Sequence, residues 1–229
     1  MLTPRPHFPA AALTFLRSLA RHNNREWFTP RKDAFERDVR APLVALVEQL
    51  DRDFATFAPE LVASPKTSIF RIYRDTRFSE DKSPYKTAVS AVFPHRSLAK
   101  MQGAGLYVEI SGKHVLAAGG VYAPSAPELR AIRGHIAANE RRFRSIVEAP
   151  AFVRVTGGLT GESLSRMPLG FPPTHSAADL IRMKQFLVWK EWPAALASTP
   201  RFYPTLLKVF QASAPLVRFL NEPLVGRGL

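Results

Sequence analysis

The chain contains no cysteine, so disulfides, thiol nucleophiles and thiolate-bound zinc are excluded, and the composition suits a reducing interior. Long hydrophobic runs are missing as well. No stretch approaches the ~20 apolar residues of a membrane-spanning helix, and the longest uncharged segment, VLAAGGVYAPSAP, is interrupted by glycine and proline. The short apolar patch at 10–16 is broken by Arg17, and no A-x-A-like cleavage site follows, so secretion is not expected. Together these absences predict a soluble, cytoplasmic protein with no membrane partner. The Gly-rich phosphate loops G-x-x-x-x-G-K-[ST] and G-x-G-x-x-G are absent, as is G-x-S-x-G. His7, His22, His95, His114, His135 and His175 are scattered, with no H-x-x-x-H pair, so no metal site is expected.

Acid is scarce: 19 Asp and Glu stand against 32 Lys and Arg, a formal charge of +13. Such a charge concentrates polyanions, which makes nucleic acid a candidate partner. It is not the favoured one. Arg outnumbers Lys 23 to 9, alanine and proline are abundant as in GC-rich coding sequence, and the bases form neither a tail nor a run.

With 229 residues, 46% of them hydrophobic, the chain can bury a sizeable core, and one globular domain over 1–229 is expected. Near-helical spacing of Phe8, Leu13, Leu16 and Leu19 predicts a helix over 9–20. Thr29 as N-cap with Pro30 at the first position predicts a second, with the stripe Phe35, Val39, Leu43, Leu46 and Leu50. Asp33 with Arg37 and Glu36 with Arg40 add acid-before-base pairs, and Pro42 should kink or split that helix. From residue 66 the period becomes strand-like in TSIFRIY, TAVSAVF, GLYVEIS and KHVLAAGGVY, the last two joined as a hairpin. Helical period returns over 127–140, 141–148 and 200–221, the last with stripe Leu207, Phe210, Ala214 and Val217 and a kink at Pro215. Residues 156–175 read as irregular, and QFLVWKEW as a strand. The sum is an α+β fold, a mainly antiparallel sheet packed against N- and C-terminal helices.

The segments NNREWF (23–28), RIYRDTRFSEDKSPYKT (71–87), GGVYAP (119–124), GESLSRMPLGF (161–171) and PLVRFLNE (215–222) run in order along nearly the whole chain. In this combination the chain resembles the family catalogued as domain of unknown function 2461. Arg74, Asp75, Arg77, Phe78, Ser79, Asp81, Lys82, Pro84, Tyr85 and Lys86 each fall on its pattern. The resemblance implies a single-domain, cytoplasmic protein and carries no activity or cofactor with it.

The 71–87 stretch is the best candidate site, and two readings of it stand. In one, Arg71, Arg74, Arg77, Lys82 and Lys86 converge on a phosphate or carboxylate. Tyr73, Phe78 and Tyr85 then stack on the ligand, and Asp75 or Asp81 orients the cations, acts as a general base or holds a hard cation. In the other, acids and bases neutralise one another and pin a long loop to the sheet. Five bases and three acids leave +2, which fits either. His175, followed by Asp179, Arg182 and Lys184, is a second candidate, as a titrating group over a pocket or as part of a helix cap around Ser176. Gly119 and Gly120 leave room for a ligand or for a packed segment. Trp27 and Phe28 form a stacking surface or core, with Asn24 as a cap. The leading function is binding of a small phosphorylated or carboxylated ligand at the loop, with hydrolase or transferase chemistry open. A nucleic-acid-associated protein and a structural or partner-binding protein are the alternatives.

Overall fold

A computed structural model describes residues 5–77 and 79–225, so Phe78 lies outside the described residues. Helix α1 (Ala10–Arg21) buries the expected Leu13, Leu16 and Leu19, and Ala12 and Phe15 with them. The next helical run starts before the Thr29–Pro30 signal. Asn24 is its N-cap, with Oδ1 accepting from the Trp27 N–H at 2.8 Å. Thr29 already has helical dihedrals, φ −54° and ψ −50°. From Asn24 the chain winds through α2 (Arg25–Phe28), a 3-10 turn (Thr29–Arg31), α3 (Lys32–Phe35) and a π-turn (Glu36–Arg40) into α4 (Ala41–Phe57).

Pro42 neither ends nor splits this run. The winding is loosened just before it, where the Ala41 N–H reaches back five residues to the Glu36 carbonyl. Pro42 then stands in the first turn of α4, where a missing donor costs least. Glu36 and Arg40 pair as expected at 3.3 Å. Arg37 instead lies bidentate on its neighbour Asp38, not on Asp33.

Strands β1 (Ala88–Pro94), β2 (Gly105–Ser111), β3 (His114–Val121) and β4 (Phe186–Pro193) form an antiparallel sheet in the order β1-β2-β3-β4, and the fold is α+β. Strand β2 shows why the sheet has two faces: Leu106, Val108 and Ile110 are fully buried, whereas Tyr107 and Glu109 point the other way. Ser111 closes the β2–β3 hairpin, its Oγ accepting from the Lys113 and His114 N–H groups.

TSIFRIY is not a regular strand. Isolated bridges join Ile69 to Ala91 and Tyr73 to Tyr85, so four steps on one side face six on the other and the register slips between them. Pro84 accepts from the Arg74 N–H at 3.0 Å but has no N–H to return, and the ladder stops.

Helix α5 (Ala126–Ala138) opens on a capping box between Ser125 and Glu128. It is followed by α6 (Glu140–Val147) and by α7 (Pro150–Thr156), which the hydrophobic period does not reveal. The single turn α8 (Ala178–Ile181) precedes β4, and α9 (Phe202–Asn221) closes the fold with Pro215 inside it. The buried stripe of α9 runs through Leu206, Phe210, Ser213, Ala214 and Val217, one residue off the expected start at Leu207.

The chain separates into two compact units: Met1–Phe93, Tyr107–Ala117 and Glu191–Leu207 form the first, and Pro94–Leu106, Ala118–Lys190 and Lys208–Leu229 the second. In the first, Phe54 meets Phe93 edge-on at 5.2 Å and Phe8 meets Phe202 at 5.8 Å. In the second, Phe143 packs on Phe219 at 5.0 Å and on Phe186 at 6.1 Å.

Two buried charges in the second unit contrast. Glu128 accepts from the Gly103 N–H, the Ser125 N–H and the Ser125 hydroxyl. Arg133, equally buried, makes one hydrogen bond, from Nη2 to the Met183 carbonyl at 2.9 Å. Among the described residues its Nε has no partner and no carboxylate pairs with it. Burial alone pulls its pKa down. A buried charge without a counter-ion is a net cost that an apolar side chain of similar volume removes. Arg133→Met is therefore expected to stabilise the protein by about 1 kcal/mol in urea denaturation; a clear loss of stability would show the guanidinium to be compensated.

Candidate functional site

The 71–87 loop is anchored at its far end by a side chain that mimics a strand. The Asn23 amide donates from Nδ2 to the Tyr85 carbonyl at 2.9 Å and accepts at Oδ1 from the Tyr85 N–H at 3.0 Å. The Tyr85 ring is buried and stacks on Phe28 at 4.2 Å, and burial pushes its phenol up. Tyr85 is thus placed in the core, with Phe28, while Tyr73 lies half-exposed 5.5 Å from it. Trp27 packs 5.4 Å from Phe15, with the Arg31 guanidinium above its ring.

Most of the loop's charges face one another. Asp75 accepts from the Arg77 backbone at 3.2 Å and, bidentately, from its Nε and Nη2 at 3.0 and 2.7 Å. That fork holds the Asp75 carboxyl below its usual range. Asp81 accepts from the Ser83 hydroxyl and N–H and from Arg74 Nη1, and the Ser83 hydroxyl followed by Arg74 holds its carboxyl well below the usual range. Arg74 reaches Ser79 Oγ as well, at 3.4 Å. Lys82 donates to the Thr76 carbonyl at 3.0 Å, and Glu80 stays exposed.

Two cations remain. Among the described residues, Arg71 and Lys86 make no salt bridge and no side-chain hydrogen bond, although they are near neighbours. Lys86 Nζ sits 4.9 Å over the Phe70 ring. Burial first, and then the Arg71 charge, lower the Lys86 pKa, while Glu109 acts in the opposite sense.

Glu109 leads to residues that the loop motif does not include. It shares its carboxylate between Tyr107 and His114, on the sheet face opposite Leu106, Val108 and Ile110. The signal was present: in GLYVEIS the apolar residues alternate with Tyr107 and Glu109, and the short turn returns the chain at His114.

His175 lies in the second unit, where its Nδ1 accepts from the Ala177 N–H at 3.0 Å. Asp179 and Lys184 are paired, whereas Arg182 donates from Nε to the Ala178 carbonyl at 3.2 Å. Asp179 meets Arg144 at 2.8 Å, Ser176 bonds Glu140, and Lys184 meets Glu162 at 3.0 Å. The two central glycines serve packing. A Cβ on Gly119 would lie 2.7 Å from the Ser213 Cβ, and one on Gly120 would lie 2.0 Å from the Phe186 carbonyl oxygen. Among the described residues no three His, Asp or Glu side chains are placed to share a metal ion, and no helix is long and apolar enough to cross a membrane.

These features define an α+β protein whose antiparallel sheet carries a salt-bridged loop at β1 and, beside it, two cations that make no salt bridge among the described residues. Residues 11–219 match the family described as conserved hypothetical protein, domain of unknown function 2461, and the chain belongs to that family. No curated protein matches it.

Proposed function

We propose that this protein binds a small anionic ligand, phosphorylated or carboxylated, at Arg71 and Lys86. The observation that carries the reading is the like-charged pair itself. The Arg71 charge adds to burial in lowering the Lys86 pKa, with Glu109 opposing it, and among the described residues neither cation makes a salt bridge. An oxyanion between them opposes that lowering, with Arg71 supplying a planar fork and Lys86 a mobile point charge. Arg74, Arg77 and Lys82 then shape the loop from within, and their pairing with Asp81, Asp75 and the Thr76 carbonyl fixes the backbone from which Arg71 and Lys86 extend.

Ligand screening by thermal shift, with inorganic phosphate, sugar phosphates, nucleotides and dicarboxylates, tests the reading. At least one of these is expected to raise the melting temperature of the wild type. Lys86→Met is expected to weaken that ligand about tenfold or more, which corresponds to about 1.4 kcal/mol. Because only charged Lys86 attracts the anion, binding weakens as pH rises through its lowered pKa, earlier than for an ordinary lysine. Unchanged affinity in Lys86→Met and Arg71→Ala would overturn the site. A shift produced only by short DNA or RNA, with steep salt dependence, would replace it by the nucleic-acid-associated reading.

A further inference from the structure

A row of polar side chains crosses the sheet beside the proposed anion site. On β2, the Tyr107 hydroxyl donates to Glu109 Oε2 at 2.7 Å, and the other carboxylate oxygen, Oε1, lies 3.0 Å from His114 Nε2 at the start of β3. Ser90 of β1 is a further neighbour of the Tyr107 phenol and offsets part of the upward push on it. Beyond the imidazole, Glu191 Oε1 of β4 stands 3.9 Å from His114 Nδ1, near enough to stabilise charge and too far for a hydrogen bond. Each of the four strands thus contributes to one row, and Lys86 is a further neighbour of its carboxylate.

The row has a direction. Burial, and then the bond to Glu109, push the Tyr107 phenol far above its ordinary range, so at neutral pH it is a donor. Glu109 therefore accepts on both oxygens. In neutral His114 this fixes the proton on Nε2 and leaves the Nδ1 lone pair free. The ring is reachable, since about 29% of the His114 side chain is exposed.

We propose that His114 is a general base that accepts a proton at Nδ1 from a ligand whose anionic group rests on Arg71 and Lys86. This rests on the anion-binding reading and adds a chemical class to it: a phosphorylated or carboxylated compound with a neighbouring hydroxyl. In the step, the ligand O–H bond breaks, its electron pair stays on oxygen, and the proton forms the Nδ1–H bond. The imidazolium then lies between Glu109 and Glu191, and the negative oxygen faces Lys86 and Arg71. Tyr107 and Glu109 are positioning residues that act through His114.

Long-range nitrogen–proton correlation spectra of the full chain, titrated with inorganic phosphate at a pH where the imidazoles are neutral, test this. His114→Ala assigns the resonance. The expected result is the Nε2–H tautomer for His114, a phosphate-induced movement of its Nδ1 resonance in the wild type, and loss of that movement in Lys86→Met. Glu109→Gln is expected to shift the tautomer toward Nδ1–H, which a merely structural role for Glu109 would not do. An Nδ1–H tautomer in the wild type overturns the proposal. So does phosphate that moves the Arg71 and Lys86 amides but leaves His114 unmoved, and in that case the anion reading stands. Phosphate that moves neither set removes both.

Discussion

Replacing Gly120 with alanine is expected to cost about 4 kcal/mol, from a strained left-handed backbone and overpacking together. Gly120 has φ +123°, a region that L side chains rarely adopt, and its added Cβ would stand 2.0 Å from the Phe186 carbonyl oxygen and 3.2 Å from the Leu187 Cα. Both obstacles are backbone atoms, so no side-chain rotation relieves the clash, and relief requires β3 and β4 to part. Gly134 is the contrasting case. It lies within α5, and a Cβ there meets nothing within 4 Å. Gly134→Ala is thus expected to stabilise by about 0.5–1 kcal/mol through helix propensity alone. Urea denaturation of the two variants measures the difference. A Gly120→Ala protein within 1 kcal/mol of wild type would mean that the strands are not packed as described.

That contrast shows what the sequence can and cannot disclose. Period and alternation are local, so α1, the β2–β3 hairpin, α5 and β4 were legible, and so was the α+β class. The start of the second helical run was misplaced because Thr29–Pro30 and Asn24 both satisfy the chemistry of a helix start. Asn24 is the effective one, its side chain accepting from the Trp27 N–H, with Phe28 one turn on packed against Phe15, Phe35 and Tyr85. TSIFRIY has the composition of a strand, but its pairing slips by two residues on the partner side, and register is a property of two segments. The candidate site divides in the same way. That Arg74 and Arg77 sit near acids was visible; which cation each carboxylate takes was not, because Asp81 selects Arg74 seven residues away while Asp75 takes Arg77 two residues on. The pair left over, Arg71 and Lys86, becomes visible only by subtraction. Glu109 and His114 enter because the hairpin folds them together.

Asn221→Ala is expected to cost about 3 kcal/mol, because it strips partners from two buried backbone groups at once. Asn221 is 1% exposed, accepts at Oδ1 from the Ala104 N–H at 2.8 Å and donates from Nδ2 to the Ala104 carbonyl at 2.9 Å. It does for Ala104 what a neighbouring strand would do, one residue before β2 begins at Gly105. The preceding N–H, of Gly103, is taken by Glu128, so two consecutive backbone donors depend on side chains. Alanine at 221 leaves no room for water to take over without opening the end of α9, since Leu220 and Leu224 are as buried as Asn221 itself. Asn23 uses the same device on Tyr85 in the first unit, but half-buried, where water can replace part of what is lost, so Asn23→Ala is expected to cost about 1–2 kcal/mol. Native-state hydrogen exchange separates the two. Asn221→Ala is expected to deprotect the Ala104 amide by more than the global loss of stability explains, and Asn23→Ala to do the same at Tyr85 while leaving Ala104 protected. Equal deprotection of both amides in either variant would mean that neither asparagine acts locally. The terminal motif PLVRFLNE then has a physical content: Asn221 completes the sheet-side backbone, and Glu222 beside it is gripped by Arg142 and His135. Asn221 and Glu222 therefore tie the end of α9 into the second unit, and the chemistry proposed for the first unit draws on neither of them.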